Sequence, residues 1–256
     1  MSIYTLPLAL LIGWVIGNLL NYLADVLPRT RRLSPPACVY CDSSIGVNAY
    51  IKMKPCGNCD HKRSWRAWIT LGLSVLLTTT IWFFPPDRLW SWVAVLLFAY
   101  FGLIAIIDLE HRLILHPTSL AGALLCLPIG VIWLNNDGMV GAAWTKTLLG
   151  GLGGTGIMLA LYLLGIGFSR LISWIRHQPF EEDAIGFGDV FLSGVLGLLL
   201  GWPRIAVSLA FTILLAAVLG GIYLIIRAVM KKYEAFAPIP YAPFLLLAAI
   251  ILVYMA

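Results

Sequence analysis

The sequence predicts an all-α integral membrane protein of about eight transmembrane helices, with one small four-cysteine loop between the first two. Three observations predict it. Of 256 residues, 61% are hydrophobic and only 11% are charged, where a soluble domain carries about 25% charged residues. The mean hydropathy is +0.92. The apolar residues also gather in runs near the roughly 20 residues that a helix needs to cross the hydrocarbon. No soluble fold of this size hides so much apolar side chain. A soluble enzyme, a disordered tail and a secreted disulfide scaffold are therefore excluded.

The eight runs fall at about 3–27, 67–84, 89–108, 118–134, 147–169, 190–202, 204–227 and 238–256. The first lacks a basic n-region and is too long for a signal-peptide core, so it reads as a retained span. Pro28 is expected to end it. The sixth is short and runs into Trp202-Pro203-Arg204. Three segments follow: a first helix at 1–27, a loop at 28–66 and a seven-helix core at 67–256.

Orientation follows from the basic residues, which favour the cytoplasmic side. With the N-terminus outside, 14 of the 17 Lys and Arg fall inside, and only Arg88, Lys146 and Arg204 fall outside. Both termini are then expected to face outward. The net charge of +5 reads as a topology signal, so a lipid bilayer and not nucleic acid is the expected partner. The glycines Gly13, Gly17, Gly150, Gly151, Gly153 and Gly154 lie within spans. The run at 150–154 lacks the Gly-Lys-Ser/Thr ending of a phosphate loop, and close helix packing is the better reading.

The loop 28–66 holds four of the five cysteines, as Cys38-Val-Tyr-Cys41 and Cys56-Gly-Asn-Cys59, separated by 14 residues. A two-residue spacing lets one turn present both sulfurs to one ion, and two such turns complete a tetrahedral four-thiolate zinc site. Gly57 is expected to ease the second turn. Disulfides are disfavoured because the charge bias puts the loop in the reducing cytoplasm. Four thiolates leave no open position for a catalytic water, so the site reads as structural. His61 reads as a surface residue, and Cys126, inside the fourth span, as a small buried apolar group. With eight basic residues against Asp42 and Asp60, the loop suits anionic lipid headgroups or an acidic partner.

Ionisable groups at membrane depth are costly and mark functional candidates. Asp25 lies near the inner end of the first span. Asp108 closes the run Leu103-Ile104-Ala105-Ile106-Ile107, and Asp189 sits in Gly186-Phe187-Gly188-Asp189 directly before the sixth span. In the topology above both reach the cytoplasmic membrane boundary, where they can face each other. Two readings stay open on residue chemistry alone. They are boundary acids paired with Arg112 or Arg170, or they are a pair sharing one proton. In the second reading one carboxylate activates water while the other, protonated, polarises a peptide carbonyl. The glycines Gly186 and Gly188 would let an extended peptide approach the backbone.

The Gly186-Phe187-Gly188-Asp189 motif with an earlier aspartate resembles the GxGD intramembrane aspartic proteases. Within them it resembles the bacterial type IV prepilin peptidases, through Asp108-Leu-Glu-His-Arg-Leu-Ile114, Ala184-Ile-Gly-Phe-Gly-Asp-Val190 and Ile239-Pro240-Tyr-Ala-Pro243-Phe244. Gly13, Gly17 and Asn21 and the paired CxxC loop also fit. The resemblance implies removal of short basic leaders from prepilins and pseudopilins, just cytoplasmic of the substrate's apolar helix, in the bacterial inner membrane. It implies Asp108 and Asp189 as the catalytic pair, Gly186 and Gly188 as motif and substrate-binding residues, and Cys38, Cys41, Cys56 and Cys59 as metal ligands. It also implies possible methylation of the new N-terminus from S-adenosylmethionine. Phe191 stands where lysine is usual, Leu115 where proline is common, Asn18 where serine is usual and Val26 where arginine often precedes Leu-Pro. Two competing readings are a non-catalytic scaffold of the same fold and a GxGD protease for other membrane substrates. Glu110 and His111 are expected to cap and solvate the end of the third span. Glu181-Glu182-Asp183 reads as a solvated loop, with attraction of a basic leader as the minority reading.

Overall fold

The computed structural model describes residues 3–135, 138–176, 186–230 and 240–255. Among them the chain is all-helical, apart from one isolated antiparallel bridge between Ala37 and Ser44. It divides into two compact units, Met1–His111 and Arg112–Ala256.

The first unit is built from α1 (Leu6–Thr30), a short α2 (Val47–Ile51), α3 (Trp65–Phe83) and α4 (Ser91–His111). At about 1.5 Å per residue, the 25 residues of α1 reach roughly 38 Å. The helix continues through Pro28 and stops at Arg31, which adopts a left-handed φ of 54°. The expected stop at Pro28 does not occur, because a proline this near the helix end forfeits only one intrahelical N–H bond, and the helix runs on just two residues to Thr30.

α1 packs on α3 along Gly13, Gly17 and Asn21, spaced four residues apart on one face. A Cβ at Gly13 would lie 2.7 Å from the Cα of Val75, so only glycine permits the approach. Two polar ties cross the same seam. The Asn21 side-chain N–H donates to the Ala67 carbonyl at 3.0 Å, and the Ser74 hydroxyl to the Gly13 carbonyl at 3.2 Å. α4 covers both helices and ends where Arg112 turns left-handed.

The second unit contains α5 (His116–Leu134), α6 (Val140–Arg176), α7 (Phe187–Leu200), α8 (Arg204–Val229) and α9 (Ala242–Met255). α7 is its central helix, touching α5, α6, α8 and α9, and most of its residues are buried. It meets α6 across facing glycines: a Cβ at Gly197 would lie 2.6 Å from the carbonyl carbon of Gly150, and one at Gly150 would lie 2.5 Å from the Cα of Gly201. The Ser193 hydroxyl reaches the Gly154 carbonyl at 3.1 Å. The glycine run at 150–154 is thus a packing seam, as its apolar setting indicates.

All eight apolar runs contain a helix. Among the described residues six of those helices are long and apolar enough to cross a membrane, while α7 and α9 have 14 residues each. Helix ends depart most for the fifth run, read as 147–169, because α6 extends to 37 residues. The Glu181-Glu182-Asp183 run, Ala184, Ile185, Lys231, Lys232 and Ile239 lie outside the described residues.

Candidate active site and metal centre

The four-cysteine loop folds as two matching turns. In the first, the Cys38 N–H bonds the Ser43 carbonyl at 2.9 Å and the Asp42 N–H returns to the Cys38 carbonyl at 3.1 Å. In the second, the Cys56 N–H bonds the His61 carbonyl at 3.1 Å and the Asp60 N–H returns to the Cys56 carbonyl at 2.9 Å. Each turn closes on a left-handed aspartate, Asp42 at φ 51° and Asp60 at φ 52°. Aspartate tolerates that region better than most residues. The repeated unit is therefore Cys-x-x-Cys-Asp, and the left-handed residue follows the second cysteine. Gly57, expected to ease the turn, has neither a positive φ nor a crowded Cβ position.

The two turns bring all four sulfurs within 4.8 Å of one another. Cys38 and Cys59 are 3.5 Å apart, and Cys41 and Cys56 are 3.6 Å apart. Tetrahedral zinc with bonds of about 2.3 Å sets its sulfurs about 3.8 Å apart, so the donor set and its spacing fit such an ion. None of the four is in a disulfide. The Ser43 hydroxyl lowers the Cys41 thiol, and with the N–H groups of Asn58 and Cys59 it brings Cys56 down to about 6. These two shifts favour the thiolate that a metal requires, whereas Cys59 goes the other way: the Cys41 sulfur, burial and the remaining sulfurs outweigh the His61 backbone N–H and raise it to about 12, because neighbouring sulfurs do not all ionise without a cation between them. His61 is exposed and lays its ring on Tyr40 at 4.0 Å.

Beside the cysteines lies a cavity of about 390 Å³ lined by Asp25, Tyr50, Arg63 and Arg66 among others. Asp25 is its hub. One carboxylate oxygen takes the Tyr50 hydroxyl at 2.5 Å and Arg63 at 2.6 Å, and the other takes Arg66. Arg63 also sits 3.8 Å above the Tyr50 ring. Burial, then the Asp25 charge, pushes the Tyr50 hydroxyl well above the ordinary phenol range. Arg66 reaches on to Glu110 at 2.5 Å. Glu110 therefore holds α3 to α4, where the sequence pointed to a solvated cap. In the sequence Asp25 stands out only as an acid near the inner end of the first span. Its position inside an apolar run, which demands a partner, was the available signal.

Asp108 lies in the last turn of α4, buried at 5% exposure. Asp189 lies in the first turn of α7, buried at 6% exposure, and its carboxylate accepts the Gly186 N–H at 3.2 Å. A carboxylate in a first helical turn also meets the positive end of the helix dipole. Gly188 is needed for packing, since a Cβ there would lie 2.7 Å from the Cβ of Ile114. Phe191, where the resemblance leads one to expect lysine, packs on Phe187 at 5.2 Å and on His116 at 5.5 Å. Gly186, Gly188 and Asp189 thus share one turn of the second unit, while Asp108 and the cysteines belong to the first.

The profile of the type IV leader peptidase family matches residues 95–225, just over half of the chain, and this stretch includes Asp108, Gly186, Gly188 and Asp189. The chain belongs to the type IV leader peptidase family. It is a protease of that family. A prepilin leader peptidase/N-methyltransferase of Stutzerimonas stutzeri is 26% identical, over 94% of this chain and 87% of its own length. One of the same description from Pectobacterium carotovorum subsp. carotovorum is 24% identical, over 97% of this chain and 85% of its own. A type 4 prepilin-like proteins leader peptide-processing enzyme of Escherichia coli O78:H11 is 27% identical, over 90% of this chain and 76% of its own. No solved structure matches. These relatives extend the likeness of this leader peptidase family member across the cysteine loop, which lies outside residues 95–225.

Proposed function

We propose that this protein is an aspartic endopeptidase that removes basic leader peptides from type IV prepilins or pseudopilins at the cytoplasmic face of the bacterial inner membrane. The observation that carries it is the setting of the two aspartates. Each is buried at the end of an apolar helix, in the two motifs that the family match spans. The Asp189 carboxylate accepts the Gly186 N–H, which fixes its place at the start of α7. In this reading one of the two carboxylates draws a proton from water while the other, protonated, donates a hydrogen bond to the scissile carbonyl. Gly186 and Gly188 line the approach of the extended peptide. Both chain ends face outward, and the cysteine loop and Asp108 share the inner side.

Zinc on Cys38, Cys41, Cys56 and Cys59 would supply structural cross-linking of the loop. Methylation of the new N-terminus, named for two of the relatives, would draw its methyl group from S-adenosylmethionine. A second cavity in the first unit, about 780 Å³, is walled by Trp14, Tyr22 and Tyr50 and contains Asn18. The Asn18 carbonyl oxygen is buried without a hydrogen-bond partner among the described residues. The aromatic walls suit the adenine of that donor, and Trp14, Asn18, Tyr22 and Tyr50 would hold it.

Co-expression with a candidate prepilin, followed by mass measurement of the mature N-terminus, tests both activities. Asp108→Asn and Asp189→Asn should each abolish cleavage. Processing at the parental rate in either variant would sink the aspartic mechanism.

A further inference from the structure

Asp108 sits in the last turn of α4, where a helix has lost its onward hydrogen bonds and frays most readily. A catalytic carboxylate needs the opposite, since a misplacement of about 1 Å can cost 100-fold in rate. Something other than the α4 backbone must therefore hold this turn. Glu110, two residues after Asp108, is about 200° further around the helix axis and 3 Å further along it. Its carboxylate is held by Arg66 at 2.5 Å, so the turn is gripped on the side away from Asp108.

Arg66 is itself held. It lies in the first turn of α3, where its backbone N–H meets the Ser64 hydroxyl that caps the helix. Its second guanidinium nitrogen is paired with Asp25 on α1. The side chains of Arg66 and Asp25 are 19% and 21% exposed, a setting where solvent screens a charge pair less than at the open surface. Arg63, also on Asp25, continues the tie toward Tyr50 and the cysteine turns.

We propose that Arg66 is a positioning residue for Asp108: by joining Asp25 on α1 to Glu110 on α4, it holds the last turn of α4 and so sets the carboxylate of Asp108. This rests on the reading of Asp108 as catalytic. The guanidinium is required because its planar fork addresses two carboxylates at once, which a lysine ammonium on a flexible stem does not do with the same geometry. The same tie makes the cysteine loop a mechanical neighbour of the proteolytic helix. Arg63, four residues beyond Cys59, shares the carboxylate that Arg66 uses.

The test uses the full-length, zinc-loaded chain in detergent, with a synthetic peptide of basic leader, terminal glycine and apolar continuation. Variants are Arg66→Gln, Arg66→Lys, Glu110→Gln and the Arg66→Gln/Glu110→Gln double, with Asp108→Asn alongside. Arg66→Gln and Glu110→Gln should each lower kcat by about 10- to 100-fold with KM within about twofold, as expected when substrate binding is intact. Arg66→Lys should fall between Arg66→Gln and the parent. The double variant should be no worse than the poorer single, because both break one link.

Hydrogen exchange adds a readout independent of cleavage. Amides of the last turn of α4 should exchange faster in Arg66→Gln and Glu110→Gln, while those in the middle of α4 keep the parental rate. Glu110 is on the surface, so Glu110→Gln covers the case in which Arg66→Gln fails to fold. Unchanged exchange in the last turn, parental kcat in both single variants, or a rise in KM at constant kcat would overturn the proposal. If Asp108→Asn is inactive while both single variants keep parental kcat, positioning alone fails. If Asp108→Asn cleaves at the parental rate, the catalytic reading fails and the proposal with it.

Discussion

The glycine seam between α6 and α7 makes a prediction with its own internal control. In Gly197→Ala the new Cβ would meet the carbonyl carbon of Gly150 at 2.6 Å and the Cα of Gly151 at 3.0 Å. Carbon contacts are most favourable at about 3.5–4.0 Å. The obstacle is backbone, so no rotamer change relieves it, and the helices must part by roughly 1 Å. Overpacking of this kind costs about 1–3 kcal/mol. At about 2–4 °C per kcal/mol for chains of about 150–250 residues, Tm should drop by roughly 2–12 °C. Gly156 lies on the same helix α6 with no atom within 4 Å of its Cβ position. Gly156→Ala should therefore be neutral within about 0.5 kcal/mol, or slightly stabilising, since alanine is the better helix former. Thermal unfolding of both variants in one detergent, followed by far-ultraviolet circular dichroism, decides. An unchanged Tm in Gly197→Ala, or an equal drop in Gly156→Ala, would refute the packing argument. Gly197 is eight residues beyond Asp189, about 12 Å along α7. Parting the helices should therefore also lower proteolysis in Gly197→Ala.

The remaining predictions concern the first unit. Cys38→Ser should reduce bound zinc, measured by elemental mass spectrometry, from about one per chain to near zero, because a structural zinc site uses all four ligands; full retention would show the metal elsewhere. Acidification should release the metal as protons compete for the thiolates, with zinc appearing in a chelator assay as pH falls, and a pH-independent release would contradict thiolate ligation. Tyr50 has its hydroxyl raised above its ordinary value of 10.0 by burial and by Asp25. A raised value means that its stabilisation is complete below the unfolded pKa of about 10 and is lost as pH climbs beyond it. At about pH 11, where exposed tyrosines ionise, parent and Tyr50→Phe should therefore show the same tyrosinate absorbance. A parental excess worth one tyrosine would refute it.

The helices and the cysteine turns were legible in the sequence because their signals are local. An apolar run declares itself within about 20 residues, and Cys38-Val-Tyr-Cys41 is contained in a single turn. The misjudged details were also local, but quantitative. Pro28 was read as a stop although the helix reaches Thr30. Gly57 was credited with a turn that Asp60 makes. In both cases a strong punctuating residue drew the reading, while the backbone had a cheaper solution nearby.

By itself, then, the sequence determined that this chain belongs in a bilayer, that its polar material is concentrated in one four-cysteine loop, and which two motifs carry the aspartates. Composition and short spacings suffice for that. The tertiary structure alone decided that Asp25, Arg63, Arg66 and Glu110 form one linked set, since Asp25 and Arg66 are 41 residues apart and Arg66 and Glu110 are 44. It likewise decided which glycines are indispensable: Gly197 faces backbone and Gly156 faces open space, yet both sit in apolar helical sequence. The reason is physical. Helix formation depends on neighbours in the chain, whereas a charge's partner and a glycine's clearance depend on which other helix lies alongside.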